Sequence, residues 1–396
     1  MPFEVNVLKQ EIFMPKMLYQ VKVNILNNSD SFIGEPLYLA GTFNNWASDH
    51  LRVGVIPTEG EQVSIVLPGV EVGELELKVT RGSWDTLSSS KDGVLGLPHV
   101  AQIEGDAEIT LNIDGWRDLF PKSTVSKQVR ILDDYFYFPG LNVYKRVWIY
   151  LPKNYLTTTV HYPVIYMHDG QHLFDEATSV GRAGPIEWMV DKTIDKAPYA
   201  SIVVAIDHAQ DYHVRQQEFM VHSGQDTSNP QGWLYLDDIV NSLKPYVDRN
   251  YRTLKHSVNT AIVGSSLGGL ISIYGGLKYP TIFGTVGAFS PSIWMDEDNL
   301  YRYSDELLKE CEACRNQQKF YFYIGEKERR FGKMDAHSNM KLDLDRYYSW
   351  MQHHFEGDLA INIHPEGKHN AIYWQHAFKK FYAYWQAKSN SSRIKQ

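Results

Sequence analysis

Ala261-Ile-Val-Gly264-Ser265-Ser266-Leu267-Gly268-Gly269 is the stretch from which the rest of the chain can be read. It carries G-x-S-x-G with Ser266 at the centre, an apolar run before it, and Leu270, Ile271, Ile273 and Tyr274 after it at helical spacing. A strand that turns abruptly into a helix through a serine needs small residues two positions before and after it, because neighbouring backbone comes too close for a Cβ. The helix opening there aims its unpaired N–H groups at any negative charge that forms. The pattern predicts a strained serine nucleophile at Ser266. The competing reading is a glycine-rich helix start that packs closely or holds phosphate, and Ser265 is the neighbouring hydroxyl outside the motif's centre.

Outward from this point, strand-like and helical patterns alternate. Val147, Ile149 and Leu151 share one face of a strand, and 163–168 reads as another. The continuous apolar run 202–206 suits a strand covered on both faces. Leu236, Ile239, Val240, Leu243 and Val247 follow helical spacing, as do Trp374, Phe378, Phe381 and Trp385 near the C-terminus. This alternation predicts an α/β domain over 129–396, a mainly parallel sheet with helices on both faces. The chain before it reads differently. Tyr19, Val21, Val23 and Ile25 alternate with polar residues, as do Leu75, Leu77 and Val79, and Ala107, Ile109, Leu111 and Ile113. Short strands separated by turn clusters predict an all-β, immunoglobulin-like sandwich over 1–117. The polar segment 118–128, with Pro121, reads as the linker.

Composition narrows the partners. A chain of 396 residues allows two or three domains of roughly 150 residues each. With 43% apolar and 22% charged residues, the bulk is a folded protein and not a disordered one. A net charge of −8, from 39 basic and 47 acidic residues, argues against nucleic acid or an anionic membrane as partner. The 25 tyrosines and 10 tryptophans suit flat ligands such as carbohydrate as well as large aromatic cores. Cys311 and Cys314 form one C-x-x-C with no second pair and no thioredoxin-like context, so they read as incidental thiols on a helix. No apolar run approaches the ~20 residues of a membrane span. The N-terminal stretch lacks the apolar core of a secretory signal, which leads to the expectation of a cytoplasmic enzyme.

A serine nucleophile needs a base, and the base needs an orienting acid. In an α/β sheet of this kind they follow in the order serine, acid, histidine. Of 15 histidines, His369 stands out, in Pro365-Glu-Gly-Lys-His369-Asn, a turn-rich loop between the apolar run 360–363 and the C-terminal helix. Loops at the carboxyl ends of strands are where such sheets place chemistry. His364, inside the strand, is the rival. The run 320–324 leads into Gly325-Glu326-Lys327-Glu328, and spacing leaves Glu326, Glu328 and Asp335 all open as the acid.

Further runs carry a resemblance. Tyr162-Pro-Val-Ile-Tyr-Met-His168-Asp169-Gly170-Gln171-His-Leu-Phe-Asp175, the helix with Leu243-Lys-Pro-Tyr-Val-Asp248 and Tyr251-Arg-Thr253, Phe289-Ser-Pro291, and Gly367-Lys-His369 with Trp374 five residues on accompany the serine motif. Together they resemble the esterase D-like branch of α/β-hydrolases, which includes feruloyl, acetylxylan and enterochelin (siderophore) esterases. The resemblance covers about two thirds of the chain. It implies a serine ester hydrolase without cofactor or metal. In that branch the acid sits three residues after a glycine, which selects Glu328 over Glu326. The resemblance also implies an oxyanion hole built from the backbone N–H of Leu267 and that of Gln171 or Gly170, with roughly 3–4 kcal/mol resting on each donor. Asp169, Trp374 and the Arg215-Gln-Gln-Glu218-Phe219 element are its substrate-pocket candidates, with a structural ion pair as the other reading of Arg215 and Glu218.

In the N-terminal part, Leu37-Tyr-Leu-Ala-Gly41-Thr-Phe43-Asn44-Asn45-Trp46 and Lys78-Val-Thr-Arg81-Gly82-Ser83-Trp84 resemble a starch-binding-type carbohydrate-binding module. That likeness implies sugar stacking on Trp46 and Trp84, with Lys78 donating to hydroxyls, and makes glucan a candidate partner. The alternative is a module that only shapes the cleft. The combined expectation is a hydrolase of acylated sugars or oligosaccharides. Siderophore-type or other small-molecule esters, thioesters, and a catalytically silent glycan-binding protein are the alternatives.

Overall fold

The computed structural model describes residues 18–91, 93, 98–119, 123–179, 186–209, 211–223, 228–310, 317–330 and 338–388. The readings of Cys311, Cys314 and Asp335 lie outside these residues. The chain divides into two compact units, Met1–Pro121 and Lys122–Gln396, and the division falls inside the segment 118–128.

The first unit is built of strands β1 (Leu18–Asn27), β2 (Pro36–Gly41), β3 (Leu51–Val55), β4 (Gln62–Glu71), β5 (Gly73–Thr80), β6 (Ser88–Ser89), β7 (His99–Ile103), β8 (Ala107–Ile113) and β9 (Gly115–Trp116). They form one sheet in the order β4-β1-β8, a second in the order β3-β2-β5-β7, and a small β6-β9 pair. Period-two alternation sends Val21, Val23 and Ile25 of β1, Leu75, Leu77 and Val79 of β5, and Leu111 and Ile113 of β8 into one shared core. Beside it the Arg81 guanidinium lies 3.4 Å from the centroid of Phe32 and pairs with Glu35 and Asp118.

The second unit holds an eight-stranded sheet. Its strands are β10 (Val129–Phe138), β11 (Val143–Tyr150), β12 (Val164–His168), β13 (Ile202–Ile206), β14 (Thr260–Ser265), β15 (Thr285–Phe289), β16 (Lys319–Gly325) and β17 (Asp358–His364). They lie in the order β10-β11-β13-β12-β14-β15-β16-β17. Every pairing from β13 to β17 is parallel, while β10 and β11 attach antiparallel at one side. The central strands are apolar throughout because both faces are covered. Val164 and Tyr166 of β12 join one core, and Ile165 and Met167 join the other. The first face carries α2 (Tyr212–Phe219), α3 (Gly232–Asp238), α4 (Lys244–Asn250), α5 (Leu267–Lys278), α6 (Glu297–Glu310) and α7 (Met340–His354). The second carries α1 (Val190–Lys196) and α8 (Ala371–Lys388), whose Phe378, Phe381 and Trp385 are fully buried. The single helix expected around Leu236–Val247 is α3 and α4 joined by a π-helical turn, Ile239–Leu243.

The linker expectation needs a correction. Residues 123–126 are not a free connector but are tied into the second unit. Ser123 Oγ and Thr124 N–H donate to Asp175 at 2.5 and 2.8 Å, Thr124 Oγ1 to Glu187 at 2.8 Å, and Ser126 N–H to Asp191 at 3.0 Å. The reason is electrostatic: three buried carboxylates need donors, and this polar segment supplies them. Burial still pushes Glu187 up to about 7 against the pull of Lys192 and Thr124.

Candidate active site

Chain order places the site. From β12 the sheet grows one way to β13 and the other way to β14, so the loops leaving β12 and β14 diverge and open a crevice at the strands' carboxyl ends. Ser266 stands at the end of β14 with φ 57° and ψ −122°, a strained conformation for a side-chain-bearing residue. Its N–H donates to Phe289 O at 2.9 Å, which pins the turn to β15. Here glycine is a steric requirement. A Cβ at Gly264 would lie 2.6 Å from the backbone of Gly268 and 2.8 Å from His168 Cδ2.

Three side chains from three strand ends converge. The Ser266 hydroxyl lies 3.0 Å from His369 Nε2, and His369 Nδ1 lies 2.8 Å from Glu328 Oε2. An ionised carboxylate can only accept, so Nδ1 carries the proton and Nε2 is free to accept from Ser266. The second hydroxyl near Ser266, that of Ser292 at 3.1 Å, is then left to donate to Ser266 Oγ. Glu328 is 1% exposed, and its Oε1 accepts from Ser290 Oγ–H at 2.7 Å and Gly325 N–H at 2.8 Å. The loops holding Glu328 and His369 are stitched to each other, since Glu326 N–H donates to His364 O and Lys327 N–H to Gly367 O. Glu326 itself points to solvent, and His364 ends β17 with its Nδ1 accepting from Glu366 N–H. The arrangement can carry a proton from a serine hydroxyl to an imidazole and hold the resulting imidazolium against a buried anion.

Leu267 opens α5, so helix geometry leaves its N–H without an intrahelical acceptor. The start of α5 touches the turn after β12, because a Cβ on Gly268 would lie 3.1 Å from Asp169 Oδ2. That turn passes through left-handed Asp169 (φ 59°) into the single 3-10 turn Gly170–His172. A Cβ at Gly170 would come within 2.8 Å of Asp207 Oδ1 and 3.0 Å of Trp148, so only glycine lets the turn lie this close to β13 and β11. The turn's own bonds run from His172 N–H to Asp169 O and from Leu173 N–H to Gly170 O, and do not use the Gln171 N–H. The Gln171 side chain instead bridges to the loop after β13. It accepts from His208 N–H at 3.2 Å and donates to His208 O at 3.3 Å. His172 and His208 face each other with their Nε2 atoms 3.1 Å apart, and burial pushes His172 down to about 3.

The pocket candidates fall out differently from the sequence expectation. Arg215 and Glu218 do not pair with each other. Arg215 gives Asp169 two hydrogen bonds, at 2.7 and 2.9 Å, while Glu218 pairs with Lys145 at 2.6 Å. Asp169, Glu218 and Lys145 are buried, and the Arg215 side chain is 12% exposed, so the four are internal pairs behind the β12 turn. Burial alone would raise Asp169, but the charge and hydrogen bonds of Arg215 outweigh it and hold the carboxyl well below its usual range. Trp374 lies against Ser290 and His369. Its indole N–H donates to Ser290 Oγ at 3.0 Å, and its ring meets His369 edge to face at 5.1 Å.

In the first unit, Trp46 and Trp84 come together with ring centroids 6.2 Å apart. Lys78 points away from the core of its strand but is 8% exposed, and burial pushes its ammonium down to about 8. The turn after β2 folds over this face, with Thr80 Oγ1 donating to Ser48 O at 2.7 Å. Lys78 is therefore covered, where the sequence expectation had it open to sugar hydroxyls. Sequence reasoning gave no role to Ser290, Ser292 or Lys145. The first two lie in or beside Phe289-Ser-Pro291, and that run was their only signal. No described helix is long and apolar enough to cross a membrane.

A family model described as putative esterase matches residues 140–380. YbbA, an uncharacterized protein of Bacillus subtilis strain 168, is 23% identical over 231 residues, 58% of this chain and 88% of its own. Among solved structures, the enterobactin esterase FES of Shigella flexneri superposes with TM-score 0.54 at 16% identity, over 90% of this chain and 89% of that one. An IroE-like serine hydrolase of Shewanella oneidensis superposes with TM-score 0.51 at 18% identity, over 64% of this chain and 78% of that one. At these identities the likeness is one of fold.

Proposed function

The chain belongs to the Esterase family, and on that premise we propose that it is a serine carboxylic-ester hydrolase working through Ser266, His369 and Glu328. The observation that carries this reading is the unbroken line of hydrogen bonds from the Ser266 hydroxyl through His369 to buried Glu328. Ser266 Oγ attacks the ester carbonyl carbon as its proton passes to His369 Nε2. The negative oxygen is held by the N–H of Leu267 with that of Gln171 or Gly170. Collapse breaks the carbon–oxygen bond to the alcohol, which leaves with the proton from His369. Water then attacks the acyl-enzyme by the same route, His369 taking its proton and returning it to Ser266.

For the substrate, the paired indoles of Trp46 and Trp84 support acylated sugars or oligosaccharides, because indole faces suit the apolar face of a sugar ring. In this reading the first unit is an immunoglobulin-like carbohydrate-binding module. The fold likeness to an enterobactin esterase across 90% of the chain supports the second reading, a siderophore-type ester. The test is hydrolysis of p-nitrophenyl acetate by the purified chain beside Ser266→Ala, followed by an acetylated oligosaccharide and enterobactin as competing substrates. Activity lost in Ser266→Ala is expected. Equal activity in both proteins would rule out Ser266 as nucleophile, and inertness of both would move the silent glycan-binding reading forward.

A further inference from the structure

We propose that Ser290 and Trp374 are positioning residues that lock acid and base into a closed ring with Glu328 and His369; this rests on the reading of Ser266, His369 and Glu328 as a triad. The argument is one of hydrogen-bond direction. An indole N–H can only donate, and a carboxylate can only accept. Between them stands the Ser290 hydroxyl, 3.0 Å from Trp374 Nε1 and 2.7 Å from Glu328 Oε1. Its oxygen accepts from the indole N–H, so its own O–H must donate to Glu328. His369 Nδ1–H then reaches the other carboxylate oxygen at 2.8 Å. The ring closes through space, because the Trp374 indole meets the His369 imidazole at 5.1 Å and 88°. Every bond in it has one possible direction.

The placement of both residues fits this role. Ser290 is held at φ 44°, a left-handed conformation a serine seldom adopts, with its N–H on Tyr323 O at 2.7 Å. Trp374 packs against Trp188 at 5.7 Å as well as against His369, so its N–H cannot swing away. A glutamate has one more rotatable bond than an aspartate and more freedom to lose. Two donors on Oε1 and one on Oε2 remove that freedom, and Trp374 fixes the direction of one of those donors.

Kinetics with p-nitrophenyl acetate would test this on Ser266→Ala, Ser290→Ala, Trp374→Phe and the Ser290→Ala/Trp374→Phe double variant, with melting temperatures alongside. Ser290→Ala and Trp374→Phe should each lower kcat about tenfold, the scale of one hydrogen bond to a charged group, with KM nearly unchanged. The double variant should fall no further than the worse single, because both act through one bond. A pocket wall would instead raise KM, and independent packing roles would multiply in the double variant; either result overturns the proposal, as does wild-type kcat in both singles. Ser290→Ala removes only a hydroxyl, so it still decides the matter if Trp374→Phe fails to fold. Activity persisting in Ser266→Ala would instead sink the triad reading, whatever the ring variants do.

Discussion

Replacing Glu328 by glutamine keeps the shape of the site and alters one atom, and the structure says which way the new amide must face. Two donors, Ser290 Oγ–H and Gly325 N–H, converge on the Oε1 position at 2.7 and 2.8 Å. The amide oxygen must therefore take that place, since an NH2 there would meet two protons. The amide nitrogen then occupies the Oε2 position and points its hydrogen at His369 Nδ1, 2.8 Å away. Nδ1 is forced to accept, so the imidazole carries its proton on Nε2, facing Ser266. In that tautomer it cannot take the serine proton. The comparable amide substitution in a serine protease lowers kcat by about 10⁴ through the same tautomer change. The expectation here is a fall of about 10³–10⁴ in kcat, roughly 4–5.5 kcal/mol of barrier. Glu326→Gln, on a solvent-facing side chain, should stay within about twofold, as most surface changes do. Steady-state hydrolysis of p-nitrophenyl acetate by the two variants, with circular dichroism to show that both are folded, makes the comparison. A Glu328→Gln variant within a few-fold of wild type, or a Glu326→Gln variant that falls as far, would refute the assignment of the acid.

Two further expectations concern the internal pairs and the first unit. Arg215→Ala leaves Asp169 buried without its counter-charge, a loss of about 3–5 kcal/mol. In the wild type the folded Asp169 carboxyl is more acidic than the unfolded one, so the pair's contribution is complete above about pH 4 and is lost as pH falls through the folded value. In the variant, burial is opposed only by the smaller pull of His208 and His172 and raises the carboxyl, so acidification from neutral towards pH 4 relieves the penalty and the gap in melting temperature should narrow. A gap that stays constant over that range would show that Asp169 does not carry the effect. In the first unit, maltooligosaccharide titration should quench tryptophan fluorescence in the wild type and not in Trp46→Ala; no change in the wild type at millimolar sugar would favour a structural module.

The strained turn at Ser266 could be read from the sequence because its constraint is local. The steric demand on Gly264 is made by the backbone of Gly268, four residues on, and it leaves its mark in a five-residue pattern. The sheet could be read for a similar reason: strands covered on both faces must be apolar throughout, as 202–206 is. What stayed hidden is pairing across the fold. Arg215 and Glu218, three apart on α2, invite pairing with each other. Yet Arg215 is drawn to Asp169, 46 positions away, and Glu218 to Lys145 on β11. Trp374 and Ser290 are 84 positions apart, so nothing in either one's neighbourhood announces that they meet. Lys78 was placed at the sugar site by resemblance, and alternation says only that it leaves the core, so its burial to 8% exposure was not legible locally.

The proposed chemistry and the proposed sugar contacts rest on different residues of this chain. The groups proposed for ester cleavage all come from strand ends of the second unit: Gln171 after β12, Ser266 and Leu267 after β14, Glu328 after β16 and His369 after β17. The serine and the turn proposed to hold the oxyanion flank the crevice between β12 and β14, while the proposed acid and base arrive from the outer strands. None of these groups needs Trp46, Lys78 or Trp84. Loss of sugar binding would thus leave the proposed triad untouched, and a working triad says nothing about sugar. The fold shared with an enterobactin esterase over 90% of the chain does not choose between the proposed esters, because fold alone does not fix the substrate. Direct competition between the two ester classes therefore carries more information about function than any further scrutiny of the triad.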